Sequence, residues 1–139
     1  MTQVEIGRGD KLSDGTDVTI ISLGPIASEV TKAIEKVREK GISVRHFDAV
    51  FLKPFDQKII DEIVASPTPV ITVEDASVRG GLYSAVTEAL NRRGFTLPVE
   101  SVGIPSDRFV EHGMVAELYE ECGMNSETIY NKIINQAAK

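Results

Sequence analysis

The chain has 139 residues, 42% of them apolar and 26% charged, with a formal net charge of −6. That length and apolar share suit one domain with a real core, and the acidic balance argues against a nucleic-acid or anionic-membrane surface, which needs a basic patch. No apolar run is long enough to span a bilayer, Met1-Thr2-Gln3 leads into no apolar leader segment, and one cysteine, Cys122, offers no internal disulfide, so a reducing cytoplasm is the expected location.

Residues 1–16 contain "VEIGRGDKLSDGT": two short extended pieces and the turn chemistry of Asp14-Gly15. They read as an edge strand, with antiparallel pairing open to it, joined to the first buried strand by a tight turn. Residues 17–139 read as βα repeats followed by C-terminal helices. "DVTIISLG" (17–24) is a continuous apolar run ending in glycine, the mark of a strand buried on both faces. Ile26, Val30, Ala33, Ile34 and Val37 then recur at helical spacing, with Pro25 suited to the first helical position and Gly41 to the end. "ISVRHFDAVF" (42–51) is the second buried strand. Asp56 is placed to cap a helix carrying Ile59, Ile60, Ile63 and Val64. "PVITVE" (69–74) is the third strand, followed by a helix with Leu82, Val86, Ala89 and Leu90 that Gly94 closes. "LPVESVGI" (97–104) is the fourth. Two helices are expected to finish the chain, about 114–122 with Gly123 as its stop, and about 126–137. Strands alternating with helices of this length make βαβ units, hence a parallel sheet with helices on both faces.

Open sheets of this class bind ligands at the carboxyl ends of their strands. At those ends lie Ser22-Leu23-Gly24-Pro25, then Phe47-Asp48-Ala49, then Glu74-Asp75 with Gly80-Gly81, then "GIPSDRFVEHG". The glycine pair is neither a Walker loop nor a dinucleotide loop, because the spacing and the lysine are missing. Backbone N–H groups at a helix start can still hold an anion, with Arg79 as the nearest cation. Glu74 and Asp75 would repel it. Two readings of Glu74, Asp75, Arg79, Gly80 and Gly81 therefore stay open, a domain contact with close packing or an anion site. In "DRFVEHG", His112 has Asp107, Arg108 and Glu111 nearby, which suits a general base or a polar interface. No nucleophile or metal set accompanies it. His46, inside a strand, reads as a packed or edge residue, Cys122 as a half-buried helix residue, and Arg92-Arg93 as a solvated helix end.

Four stretches carry a resemblance: "GDKLSDGTDVTIISLG", "FDAVFLKPFD", "VITVEDASVRGGLYSAV" and "GIPSDRFVEHGMVAELYEECGM". In order and spacing they closely resemble the C-terminal domain of the transketolase-like, thiamine-diphosphate-dependent enzymes, in particular the 1-deoxy-D-xylulose-5-phosphate synthase branch. The resemblance implies a three-layer α/β/α fold with a mixed, mostly parallel five-stranded sheet. It implies that thiamine diphosphate and Mg2+ are held by two other domains of a full-length enzyme. This chain would then carry no cofactor-binding, metal-binding or catalytic residue, and would serve assembly with those domains and as a homodimer. Tyr83 stands where the family has a glycine, Ser106 is an addition, and Val50 replaces an arginine. The bulk of Tyr83 would obstruct a loop that hugs a ligand, which favours packing for Gly80-Gly81. Two other functions are compatible with the residues: a free-standing small-molecule or anion-binding module, and the C-terminal domain of an E1 beta-type 2-oxoacid dehydrogenase.

Overall fold

The computed structural model describes residues 9–23, 26–49, 56–75, 81–104 and 115–138; of Asp75, Ile104 and residues 115–125 it describes the backbone course. Five strands and four helices alternate along the chain. They are β1 (Asp10–Ser13), β2 (Val18–Ser22), α1 (Ala27–Arg38), β3 (Val44–Asp48), α2 (Gln57–Ala65), β4 (Val70–Asp75), α3 (Gly81–Arg92), β5 (Val99–Ile104) and α4 (Val115–Ala137). The strands form one sheet in the order β1-β3-β2-β4-β5. β2, β3, β4 and β5 run parallel, and β1 alone is antiparallel. This is the mixed, mostly parallel five-stranded sheet that the resemblance implies.

Two apolar layers hold the helices to the sheet. On one face Val30, Ala33, Ile34 and Val37 of α1 and Ile129 and Ile133 of α4 meet Val18, Ile20, Val44, Ile71 and Val73. On the other, Ile59, Ile60 and Ile63 of α2 and Leu82, Val86 and Leu90 of α3 meet Ile21, Phe47 and Val70. Successive strand residues point to opposite faces, so a strand covered on both sides has to be apolar without alternation. All five residues of β2 are buried.

The helix ends follow local chemistry. Gly41 and Gly94 have φ of 81° and 75°, the left-handed backbone that ends α1 and α3. Asp56 caps α2 by accepting the Lys58 N–H at 3.0 Å, and its second oxygen accepts the Gly9 N–H at 2.8 Å. Arg45, 2% exposed on β3, holds the other end of that helix. It donates to the carbonyls of Glu62 (3.3 Å) and Ser66 (2.8 Å) and to Thr19 Oγ1 (2.9 Å).

One expectation needs correction. The chain ends in one helix, Val115–Ala137, where two were expected with Gly123 between them. A single glycine inside a helix costs only about 1 kcal/mol, less than the burial of Ile129 and Ile133 against α1 returns. β1 is the expected edge strand, antiparallel, and it joins β2 through Asp14-Gly15, where the Gly15 N–H donates to Asp14 Oδ1 at 2.9 Å. β1 pairs with β3, which lies between them. An added Cβ at Gly15 would clash with the backbone of Ser43 and Val44, so the turn lies directly on the start of β3.

Candidate functional site

The strand order places β2 at the centre, with β3 on one side and β4 on the other. α1 leaves β2 toward one face and α3 leaves β4 toward the opposite face. The crevice of such a sheet opens between those two strand ends, here Ser22 and Glu74-Asp75. Glu74, Asp75 and Gly81 lie there together, Glu74 and Asp75 closing β4 and Gly81 opening α3. Arg79, Gly80, Arg108 and His112 lie outside the described residues, as do Gly24, Pro25, Val50 and Ser106.

Glu74 is fully buried. Its register position puts it on the α2–α3 face, and Oε1 accepts the Leu82 N–H at 3.1 Å. That N–H belongs to the first turn of α3, where a helix leaves its donors unpaired and carries partial positive charge. The carboxylate thus supplies from within the chain the negative charge that a helix start attracts. Oε2 is buried and has no hydrogen-bond partner among the described residues. Beside it, Tyr83 is exposed on the first turn of α3.

On the other face lies a polar pair that the sequence reading missed as a pair. Ser22 Oγ and His46 Nε2 are 2.8 Å apart across the β2–β3 ladder, and the two residues are 0% and 1% exposed. Burial lowers the imidazole pKa from 6.5 to about 4, so His46 is neutral at physiological pH. The separation is that of a nucleophile and its base, but burial closes it to a substrate and leaves it a satisfied interior hydrogen bond. His46 is thus packed, as its place in a strand predicts. The signal for the pair was a serine and a histidine inside two otherwise apolar strands, because buried polar groups require partners. Cys122 lies within α4 and its side chain is outside the described residues. Arg92 pairs with Glu88 and Arg93 with Asp61, both at the helix surface.

A second concavity, about 330 Å3, lies between β1 and α2 and is lined by Gly9, Lys11, Phe47, Asp56, Lys58 and Glu62 among others. Its charges are largely paired: Lys11 bridges Asp14 at 3.1 Å and Glu62 at 2.7 Å. No group of three metal-ligating side chains exists among the described residues, and no described helix is long and apolar enough to cross a membrane.

Comparison with known proteins decides the family. The profile described as "Transketolase, C-terminal domain" matches residues 7–129. The chain belongs to the transketolase C-terminal domain family. Among curated relatives, the 1-deoxy-D-xylulose-5-phosphate synthase of Parabacteroides distasonis is 44% identical over 96% of this chain and 21% of its own length. That of Bacteroides thetaiotaomicron is 39% identical over 98% of this chain and 21% of its length. The chain therefore spans about a fifth of the curated relatives it matches. Among solved structures, a split-gene transketolase described as an inactive beta4 tetramer superposes with a TM-score of 0.79. It is 31% identical, over 99% of this chain and 44% of that one. The transketolase of Pichia stipitis shares the fold at a TM-score of 0.59 and 16% identity, over 94% of this chain and 18% of that one. This transketolase C-terminal domain thus has the three-layer architecture expected of it, and both curated relatives named above are 1-deoxy-D-xylulose-5-phosphate synthases.

Proposed function

We propose that this transketolase C-terminal domain serves a cytoplasmic 1-deoxy-D-xylulose-5-phosphate synthase as an assembly domain and performs no chemistry alone. The whole enzyme would join the two-carbon unit left by pyruvate decarboxylation to glyceraldehyde 3-phosphate, a transferase reaction feeding isoprenoid synthesis. Thiamine diphosphate and Mg2+ would be held by the preceding domains of that enzyme. The observation that carries this reading is the chemistry of the β4–α3 junction. A diphosphate needs free N–H groups and cations, whereas here Glu74 occupies the Leu82 N–H with a buried carboxylate. The described residues at the end of β4 thus do not fit the cofactor. The same geometry favours close packing over an anion site for Glu74 and Gly81, and the contact role extended to Asp75, Arg79, Gly80, Arg108 and His112 is supported by the family alone.

Isothermal titration calorimetry with thiamine diphosphate and Mg2+ tests the division of labour. The expected result is no heat of binding at millimolar cofactor. Binding by the isolated chain would overturn it, and stabilisation by phosphorylated metabolites in a thermal-shift screen would favour the small-molecule module instead. A ligand at a hundred times its Kd adds about 2.7 kcal/mol, well within reach of such a screen.

A further inference from the structure

β1 is attached to the domain differently from β2 and β3. Those strands are held by burial, all five residues of β2 and four of the five of β3 being buried. In β1, Asp10, Lys11 and Leu12 are exposed and Ser13 is half-buried. Leu12, its one large apolar side chain, is 49% exposed. Among the described residues, none of 9–16 belongs to either apolar layer.

Polar bonds hold it instead. The Gly9 N–H donates to Asp56 Oδ2 at 2.8 Å, Lys11 Nζ bridges Glu62 at 2.7 Å, and Ser13 Oγ donates to the Val44 carbonyl at 2.9 Å. Between β1 and α2 lies the concavity of about 330 Å3, so strand and helix meet through bridging side chains around a gap. The ladder to β3 is interrupted by a bulge between Lys11 and Ser13, and Asp10 faces Asp48, two acids directly opposite. The bonds that order the neighbours do not pass through β1. β3 keeps β2 on its other side in unbroken register from Val18↔Val44 to Ser22↔Asp48. Asp56 still accepts the Lys58 N–H, and Arg45 still holds the carbonyls of Glu62 and Ser66.

We propose that residues 9–13 are a latch, which leaves β3 and α2 as a unit and returns while the other four strands stay folded. Opening uncovers little apolar surface and breaks few bonds, the conditions under which a segment opens at far lower cost than the whole domain. Gly9 is the catch. An added Cβ there would lie 2.6 Å from the Asp48 carbonyl oxygen and 3.0 Å from Ile59 Cδ1. The backbone therefore closes against the end of β3 and the first turn of α2 more tightly than a side chain permits. Lys11 is the second hold, through Glu62. With the latch open, Glu62 keeps Arg45 at 3.8 Å, so its carboxylate is not left without a cation. Release of residues 9–13 frees about 17 Å of extended chain, so the span between the sheet and whatever adjoins its amino-terminal side takes two values. This inference rests on bonds within the chain and is independent of the assembly role proposed above.

Native-state hydrogen exchange of the chain, read by NMR at low urea concentrations, tests the latch. The β1 amides bonded to β3 should be about a hundred-fold or more less protected than those of β2, with almost no urea dependence, because their opening exposes little surface. Ile129→Val, in the layer under α1 and α4, weakens the closed and open forms alike. It should cut β2 protection about two- to ten-fold and leave β1 protection unchanged. Gly9→Ala wedges the catch and should speed β1 exchange about ten-fold. Lys11→Met should speed it about two- to five-fold. Three results would each overturn the latch: β1 amides with the protection and urea dependence of β2, equal losses at both strands in Ile129→Val, or β1 exchange that neither β1 variant alters. The assembly role is judged separately by the cofactor titration, whose outcome does not depend on β1.

Discussion

The residue with the clearest measurable consequence is His46. Its imidazole titrates at about 4 in the folded chain against 6.5 when free. Between those values the unfolded chain binds the extra proton, so stability rises with pH across the window and is complete above about 6.5. The stake is about 3 kcal/mol, because each pH unit between the two values is worth about 1.36 kcal/mol. Urea unfolding of the wild type should show that loss on going from pH 7 to pH 4, and His46→Gln should lose less over the same interval. Equal losses would contradict the burial of an uncharged ring. That a histidine within "ISVRHFDAVF" is packed was legible from its strand. Its partner was not, because which residue of β2 lies beside it depends on the strand register, and register is a tertiary quantity. Glu74 shows the same division: the acid at the strand end was visible in the sequence, but its bond to an N–H eight residues on required the fold of the junction.

Among the elements, α2 is held at both ends by side chains from other parts of the chain. Asp56 binds its first turn and, through Gly9, the start of β1, while Arg45 gathers its last carbonyls. The N-cap was readable in the sequence, since an aspartate before an apolar helical stripe is a local signal. The Arg45 network was not, because it joins residues far apart in sequence. Asp56→Ala removes the cap and leaves the half-buried Gly9 N–H without its acceptor, a loss of about 1–3 kcal/mol. Asp56→Asn keeps an acceptor for Lys58 and should recover much of it. Thermal melts of the two variants compare the costs, and equal melting temperatures would show that the cap contributes nothing. The missed continuity of α4 has a similar origin: Gly123 is a local stop signal, and packing against α1 outweighs it.

At the scale of the molecule, the sheet is shared by two apolar layers that lie on its opposite faces, one under α1 and α4 and one under α2 and α3. β2, buried throughout, belongs to both. Neither layer can lose its packing without exposing the strands that the other needs, so a single transition is expected. Scanning calorimetry should give equal calorimetric and van't Hoff enthalpies, and two resolved peaks would show that the layers melt apart. The order of periodicities made this architecture legible, since runs apolar on every residue mean strands covered on both sides. What periodicity could not supply was the placing of β1. Because that strand lies beside β3 and the Gly9 amide is bound to Asp56, the start of the domain is fastened to its middle. Any tug arriving from the amino-terminal side is therefore delivered to β3 and to the head of α2, bypassing the neighbour in sequence, β2, so that the domain is gripped like a parcel by a strap passed around its waist.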